Sequence, residues 1–224
     1  MDKPKRPKSD DRKGRPLTHD EFWNTHAELE SSEEDACLAP LFLFAQAEGL
    51  RVKEATVLGW DGIDQAQGFV TVSSDNKTGR SRMVPLGKVA AGVLDSLPDE
   101  VRHVSGRVFL NEDGQPLDSV RGRNRISQRV GAAMRRAGVH STAEGRASFK
   151  ATRTTLGTVL AERGHSLHLI GALLGHAWAR ENVTAEHYAR VRAKELRPLV
   201  ETFDNWLQDG HSQDTFGTET ASNA

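Results

Sequence analysis

The stretch FKATRTTLGTVLAERGHSLHLIGALLGH, Phe149 to His176, carries the reading of this chain. Its pattern predicts helices over 149–163 and 167–173. Lys150 and Arg153 stand one helical turn apart, so their side chains leave the same face. Leu169, Ile170, Leu173 and Leu174 make the second helix apolar, and Gly175-His176 closes it. A histidine at a helix C-terminus is often only a cap favoured by the helix dipole. On its own the stretch is helical and basic at one end.

Working outward, the helical reading extends across most of the chain. Thr18 precedes Glu21 by three residues, a capping-box spacing that starts a helix near residue 19. A helix over 34–47 carries Leu38, Leu41, Phe42 and Ala45 on one face and ends at Gly49. A short helix over 51–58 follows, and Trp60 and Ile63 return to the core. Phe69–Val72 and Arg82–Leu86 read as strands around the turn formers Ser74-Asp75-Asn76-Lys77-Thr78-Gly79, a β-hairpin with Lys77 near its tip. Val108-Phe109-Leu110 reads as a third strand before a turn at 111–114. Further helices are predicted over 88–96, 119–137, 183–190 and 194–207. The last places Leu196, Leu199, Val200, Phe203, Trp206 and Leu207 on one apolar face. The expected fold class is mixed and mainly α, with a small three-stranded antiparallel β-sheet. Residues 1–16 read as a flexible basic arm, 17–207 as one domain and 208–224 as a disordered polar tail.

Composition bounds the function classes. The chain has 224 residues, a formal charge of −1 and one cysteine, Cys37, which excludes a disulfide framework and a cysteine-based zinc site. The N-terminus has no apolar stretch of the signal-peptide kind. The longest apolar run, Leu38–Ala47, is far short of the ~20 residues that cross a bilayer. The expectation from composition is a cytoplasmic protein with no membrane partner. The near-zero charge argues against a nucleic-acid partner until it is divided. Residues 17–64 hold Arg51 and Lys53 against eleven acids. Residues 121–153 hold Arg121, Arg123, Arg125, Arg129, Arg135, Arg136, Arg146, Lys150 and Arg153 against Glu144 alone. A run this one-signed reads either as a solvated helix face or as a surface for the dense line of DNA phosphates.

Several cations sit where side chains are commonly held in place. Arg51 follows Gly49-Leu50 at a helix junction, Lys77 tops a hairpin and Arg153 shares a face with Lys150. Tyr188 is the only tyrosine in the chain. Taken singly, each has a bland reading: a surface arginine, a solvated lysine, a packed core tyrosine.

Taken in order, they resemble the tyrosine recombinase (phage integrase) superfamily. Gly49-Leu50-Arg51-Val52-Lys53-Glu54-Ala55, followed by Leu58 and Trp60-Asp61-Gly62-Ile63-Asp64, is similar to that family's first arginine motif. Lys77-Thr78-Gly79 ahead of Arg82 and Val84-Pro85-Leu86 resembles its hairpin lysine. Phe149–Thr155 through Gly164 resembles its second arginine motif, and Leu173-Leu174-Gly175-His176 its Leu-Gly-His box. Glu186–Val191 places Tyr188 where the family has its nucleophile. The resemblance covers roughly residues 17–207.

The resemblance implies transfer of a DNA phosphoryl group to a tyrosine and back, with no metal, nucleotide or other cofactor. Arg51 and Arg153 would offer forked, permanently charged donors to the phosphate oxygens, whose charge grows in the transition state. Tyr188 would attack phosphorus and leave a 3′-phosphotyrosyl bond and a free 5′-hydroxyl. Lys77 would protonate the leaving 5′-oxygen. His176 would donate to a non-bridging oxygen or assist the tyrosine proton. Glu54 would brace the site by hydrogen bonding. The implied partners are double-stranded DNA and further copies of the chain, a tetramer on DNA linked through the 194–207 helix. The same helix could instead cover its own core.

The sequence departs from the family pattern in three places. Lys150 stands where the second motif usually has histidine, which keeps a phosphate donor but gives little general-base capacity. The segment from His176 to Tyr188 is a few residues longer than usual. Only some 16 residues precede the catalytic pattern, where family members commonly carry a helical core-binding domain. A type IB topoisomerase-like nicking-closing enzyme, a catalytically impaired DNA-binding regulator on this scaffold and a plain helical interaction domain remain open at this level.

Overall fold

The computed structural model describes residues 14–73, 81–98, 106–143, 145–176 and 186–209, and the backbone alone of 120–121 and 186–192. In chain order the helices are α1 (His19–Glu30), α2 (Leu38–Ala47), α3 (Val52–Thr56), α4 (Lys88–Ser96), α5 (Val120–Arg136), α6 (Ala151–Glu162), α7 (Leu167–Leu173) and α8 (Glu186–Asp209). Strands β1 (Ile63–Asp64), β2 (Phe69–Val72) and β3 (Arg82–Pro85) form one antiparallel sheet in the order β1-β2-β3. Val70 pairs with Ile63 on one side and Val84 on the other.

Thr18 caps α1 as its spacing predicts: its hydroxyl accepts from the Glu21 N–H, and the Glu21 carboxylate accepts from the Thr18 N–H. Apolar α2 is the central helix, with Leu38, Leu41, Phe42 and Phe44 fully buried. It packs against α1, α3, α4, α6 and α8. Phe42 stacks on Phe22 of α1 at 5.1 Å and meets Phe149 edge-on at 6.0 Å. Truncating any of these large side chains to alanine would cost about 3–5 kcal/mol.

The structure corrects four expectations. The third strand is Ile63–Asp64, not 108–110. Val108 and Phe109 are buried, and Val108 N–H donates to the Leu58 carbonyl at 3.0 Å. That segment forms only isolated bridges, Arg107 with Gly59 and Leu110 with Pro116. The helix predicted over 34–47 starts at Leu38, because Ser32 and Asp35 draw the preceding residues into turns. The helices predicted over 183–190 and 194–207 share one continuous helix, α8, which runs through the exposed Pro198; residues 183–185 lie outside the described residues. The Thr202 hydroxyl donates to the Pro198 carbonyl. Finally, Gly14–Pro16 do not belong to a free arm. Arg15 is buried, grips both oxygens of Glu21 at 2.6 and 2.7 Å and donates to the His140 carbonyl at 2.8 and 3.0 Å. Residues 1–13 and the 210–224 tail lie outside the described residues.

The apolar face of α8 is covered by the chain's own body. Leu196, Leu199, Val200, Phe203 and Leu207 are all nearly inaccessible, against β3, α2, α4, α6 and α7. Insertion of this face into a neighbour would first require its undocking. Among the described residues, no helix is long and apolar enough to cross a membrane.

Candidate active site

Three arginines from distant parts of the chain converge on one carboxylate. Glu54 lies in α3, and its side chain is 1% exposed. Its Oε1 accepts from Arg51 Nη1 at 2.6 Å and from Arg82 Nη1 at 3.0 Å. Its Oε2 accepts from the Arg51 N–H at 2.9 Å and from Arg82 Nη2 at 3.0 Å, with Arg153 Nη1 at 3.8 Å. Burial pushes the Glu54 carboxyl up, but the Arg82 hydrogen bonds and charge and the Arg51 N–H outweigh it and bring it to about 2. Burial, then repulsion from Arg51, lowers Arg153 to about 9, so it remains a cation at neutral pH.

Two glycines make the convergence possible. Gly49 sits just past the end of α2 at φ +61°, a left-handed conformation that favours glycine, and a Cβ there would stand 3.0 Å from Leu174. Its carbonyl accepts from Arg153 Nη1. Arg153 Nη2 donates to the Leu174 carbonyl at 2.6 Å. Gly175, at φ +66°, packs on Arg82, where a Cβ would lie 3.0 Å from Nη1. Arg82 Nε donates to the Leu173 carbonyl at 3.2 Å. Both arginines thus hold the turn that ends α7, immediately before the half-buried His176.

Arg51 and Arg153 open onto a cleft of about 890 Å³, which Lys150, Arg135, Arg146, Gln128, His140 and Ser141 also line. Lys150 is exposed at the N-terminus of α6, and Arg135 and Arg146 are exposed as well. The cleft therefore carries five cations over a single buried carboxylate. Such a site demands an anion.

The sequence-predicted residues divide in the structure. It brings Arg51, Glu54, Lys150 and Arg153 together, with Arg135 and Arg146. His176 comes two residues after Leu174, whose carbonyl Arg153 holds, but does not line the cleft. Lys77 lies outside the described residues. Tyr188 falls in the first turn of α8, and its side chain is not described. The remaining arginines of the basic run are redirected. Arg129 Nε and Arg136 Nη2 pair with Asp35 at 2.7 and 3.0 Å, and Arg136 Nε pairs with Glu28 at 3.0 Å. Arg129 also reaches Glu112 at 3.4 Å. Arg123 donates to the Asp118 carbonyl, and Arg125 lines a separate recess with Glu112 and Arg129. The charges of Arg129 and Arg136 are thus answered within the chain, by Glu28, Asp35 and Glu112. The Arg121 side chain is outside the described residues. Sequence reasoning placed Arg82 in the hairpin motif but gave it no role at the site, although the charge occupies the same strand face as the buried Val84 two residues on.

Among the described residues, no group of three or more His, Cys, Asp or Glu side chains could hold a metal ion.

The family model described as Phage integrase family matches residues 15–195. Tyrosine recombinase XerD of Listeria innocua serovar 6a is 29% identical over 157 residues, 67% of this chain and 50% of that protein. The chain spans about half the length of the curated relatives it matches. The lambda integrase catalytic core superposes with a TM-score of 0.57 at 22% identity, covering 73% of this chain and 96% of that one. A lambda integrase tetramer bound to a Holliday junction gives 0.58 at 24% identity, covering 80% and 52%. The fold is that of the integrase catalytic core: helical, with the small antiparallel sheet at its side.

Proposed function

Because the chain belongs to the phage integrase family, we propose that it is a site-specific recombinase that cuts and rejoins DNA through a covalent 3′-phosphotyrosyl intermediate. The observation that carries this reading is the excess of guanidinium over carboxylate where Arg51 and Arg153 open onto the cleft. A phosphodiester is the anion that fits it. Arg51 and Arg153 bind the non-bridging oxygens and stabilise the charge that develops there. Arg135, Arg146 and Lys150 contact flanking phosphates. Lys150, standing in for histidine, acts as a further cationic donor rather than a base.

Tyr188 is the nucleophile of this proposal. Its oxygen bonds to phosphorus, the bond to the 5′-oxygen breaks, and Lys77 supplies the proton that the departing 5′-oxygen takes up. An unperturbed tyrosine, with a pKa of ~10, is ~0.1% ionised at neutral pH. In this scheme the Arg51 and Arg153 guanidiniums lower the electrostatic barrier to attack, and His176 donates to a non-bridging oxygen or assists the tyrosine proton. Reversal with a different 5′-hydroxyl rejoins the strand. No metal or nucleotide is required by this scheme.

The partner is double-stranded DNA, engaged in the cytoplasm. Assembly as a tetramer on DNA is proposed from the likeness to the lambda integrase tetramer on its junction. The cis docking of α8 means that assembly either uses another surface or begins with release of that helix.

The test is a trap. The protein is incubated with nicked duplexes drawn from DNA flanking the encoding locus, where loss of a short 5′ fragment prevents religation. The expected result is a covalent adduct at the 3′ end that Tyr188→Phe abolishes. Specific binding without any adduct would sink the enzymatic reading.

A further inference from the structure

Of the three arginines on Glu54, Arg82 does not line the cleft. It stands behind it, 14% exposed, with each of its three guanidinium nitrogens donating inward: two to Glu54 and one to the Leu173 carbonyl. Its fork matches the carboxylate in the parallel two-bond geometry that guanidinium favours. Gly175 leaves it the room to lie flat against the α7 turn.

The charge balance gives this geometry its meaning. Glu54 carries one negative charge. If only Arg51 and Arg153 faced it, its charge would be drawn from the two cations that open onto the cleft. Arg153 already lies 3.8 Å from Oε2, close enough to be pulled onto it. Arg82 instead takes both oxygens and returns one positive charge to the buried side. We propose that Arg82 is a positioning residue of the phosphate site: it offsets Glu54 and fixes its orientation, so that Arg51 and Arg153 face the cleft with their charge available. The same side chain registers the site against the Leu173–His176 turn, because Arg82 and Arg153 clamp the adjacent carbonyls of Leu173 and Leu174. This inference rests on the reading of the cleft as a phosphodiester site.

A double-mutant cycle tests it, with inorganic sulfate as the probe on the free protein and covalent adduct formation on nicked DNA as a second readout. Arg82→Met is expected to weaken sulfate binding roughly 10- to 100-fold, the scale of one or two charge-assisted hydrogen bonds. It should slow adduct formation at saturating DNA by a similar factor, with a much smaller change in the DNA concentration at half-maximal rate. Glu54→Gln should change sulfate affinity less in the wild-type background than in the Arg82→Met background, since Arg82 offsets that charge only in the former. In the Arg82→Met background, Glu54→Gln should recover most of the loss. If Arg82→Met does not fold, Arg82→Lys serves in the cycle, with the same coupling in reduced form. Equal effects of Glu54→Gln in both backgrounds would overturn the proposal and leave Arg82 as a packing residue. Failure of the wild-type protein to bind sulfate would overturn it too. Coupled sulfate binding with no DNA adduct removes the transfer reading and leaves the role of Arg82. Adduct formation without coupling removes the role of Arg82 alone.

Discussion

Two clusters of arginines and carboxylates in this molecule stand on opposite charge balances. Around Glu54, three guanidiniums gather on one carboxylate, and two of them open onto a cleft that holds further cations. Around Asp35, Arg129 and Arg136 meet three acids, Asp35, Glu28 and Glu112. Burial opposes the ionised Asp35 carboxyl, yet the hydrogen bonds from Arg129 and Arg136 hold it below the usual range. The first group is in deficit of anions and the second is not. Residue type and density are alike in the two, and both draw on the basic run of 121–153. What separates them is whether the chain itself supplies the opposing charge. The acidic 17–64 segment supplies it to α5 through α1 and the turn that follows, and still delivers Arg51 to the cleft.

Removing a cation from each group gives the largest contrast. Arg153→Ala should slow adduct formation on nicked DNA by about 10²–10³-fold or more, the scale of a lost charge-stabilising donor. Arg136→Ala should leave that rate at the wild-type value. Removing a carboxylate inverts the comparison. Asp35→Ala should lower unfolding stability by about 1–3 kcal/mol, because two guanidiniums lose their partner. A shift in the urea midpoint with adduct formation intact in the folded protein is the expected result.

A third buried carboxyl sharpens the contrast, because it has no guanidinium partner. Glu48 accepts the Gly87 N–H at 2.9 Å through Oε1, and its Oε2 has no hydrogen-bond partner. Burial, with Asp204 nearby, pushes it up to about 8. The signs are opposite. Glu54 is depressed, so its stability is present above pH ~4.5 and is lost as pH falls toward 2. Glu48 is raised, so its contribution is full below ~4.5 and is lost as pH rises through 8. Glu48→Gln should therefore raise the melting temperature above pH 8 by a few degrees (~2–4 °C per kcal/mol) and flatten the alkaline slope. An unchanged slope would show that Glu48 does not titrate in the folded protein.

The smallest effect concerns affinity. Arg135→Glu and Arg146→Glu should each lower the slope of log Kd against log salt by about one or two ions. Arg136→Glu should not, because its charge is held by Glu28 and Asp35.

The sequence is most legible where spacing alone sets geometry. Lys150 and Arg153 lie one turn apart, Arg51 follows the glycine that ends α2, and Glu54 completes a helical turn with Arg51. Each follows from local rules. Arg82 does not, because its partnership with Glu54 spans 28 residues and depends on how β3 packs beside α3 and α7. Its trace is a charge in phase with buried Val84. The apolar run 108–110 has the composition of a strand but fills core beside Leu58, a distinction that periodicity over three residues cannot draw. The basic run 121–136 reads as one surface in sequence. Helical geometry turns Arg135 toward the cleft and Arg129 and Arg136 toward acids that lie about a hundred positions away. Those acids are visible in the sequence as the deficit of residues 17–64, but their pairing is not.

The most direct test of the central claim is the rate of covalent adduct formation on one nicked duplex, measured side by side for Arg51→Ala and Arg129→Ala. The charge balance around Glu54 and Asp35 predicts loss of at least ~10²-fold for the first and a wild-type rate for the second. Equal losses, or a loss confined to Arg129→Ala, would contradict it.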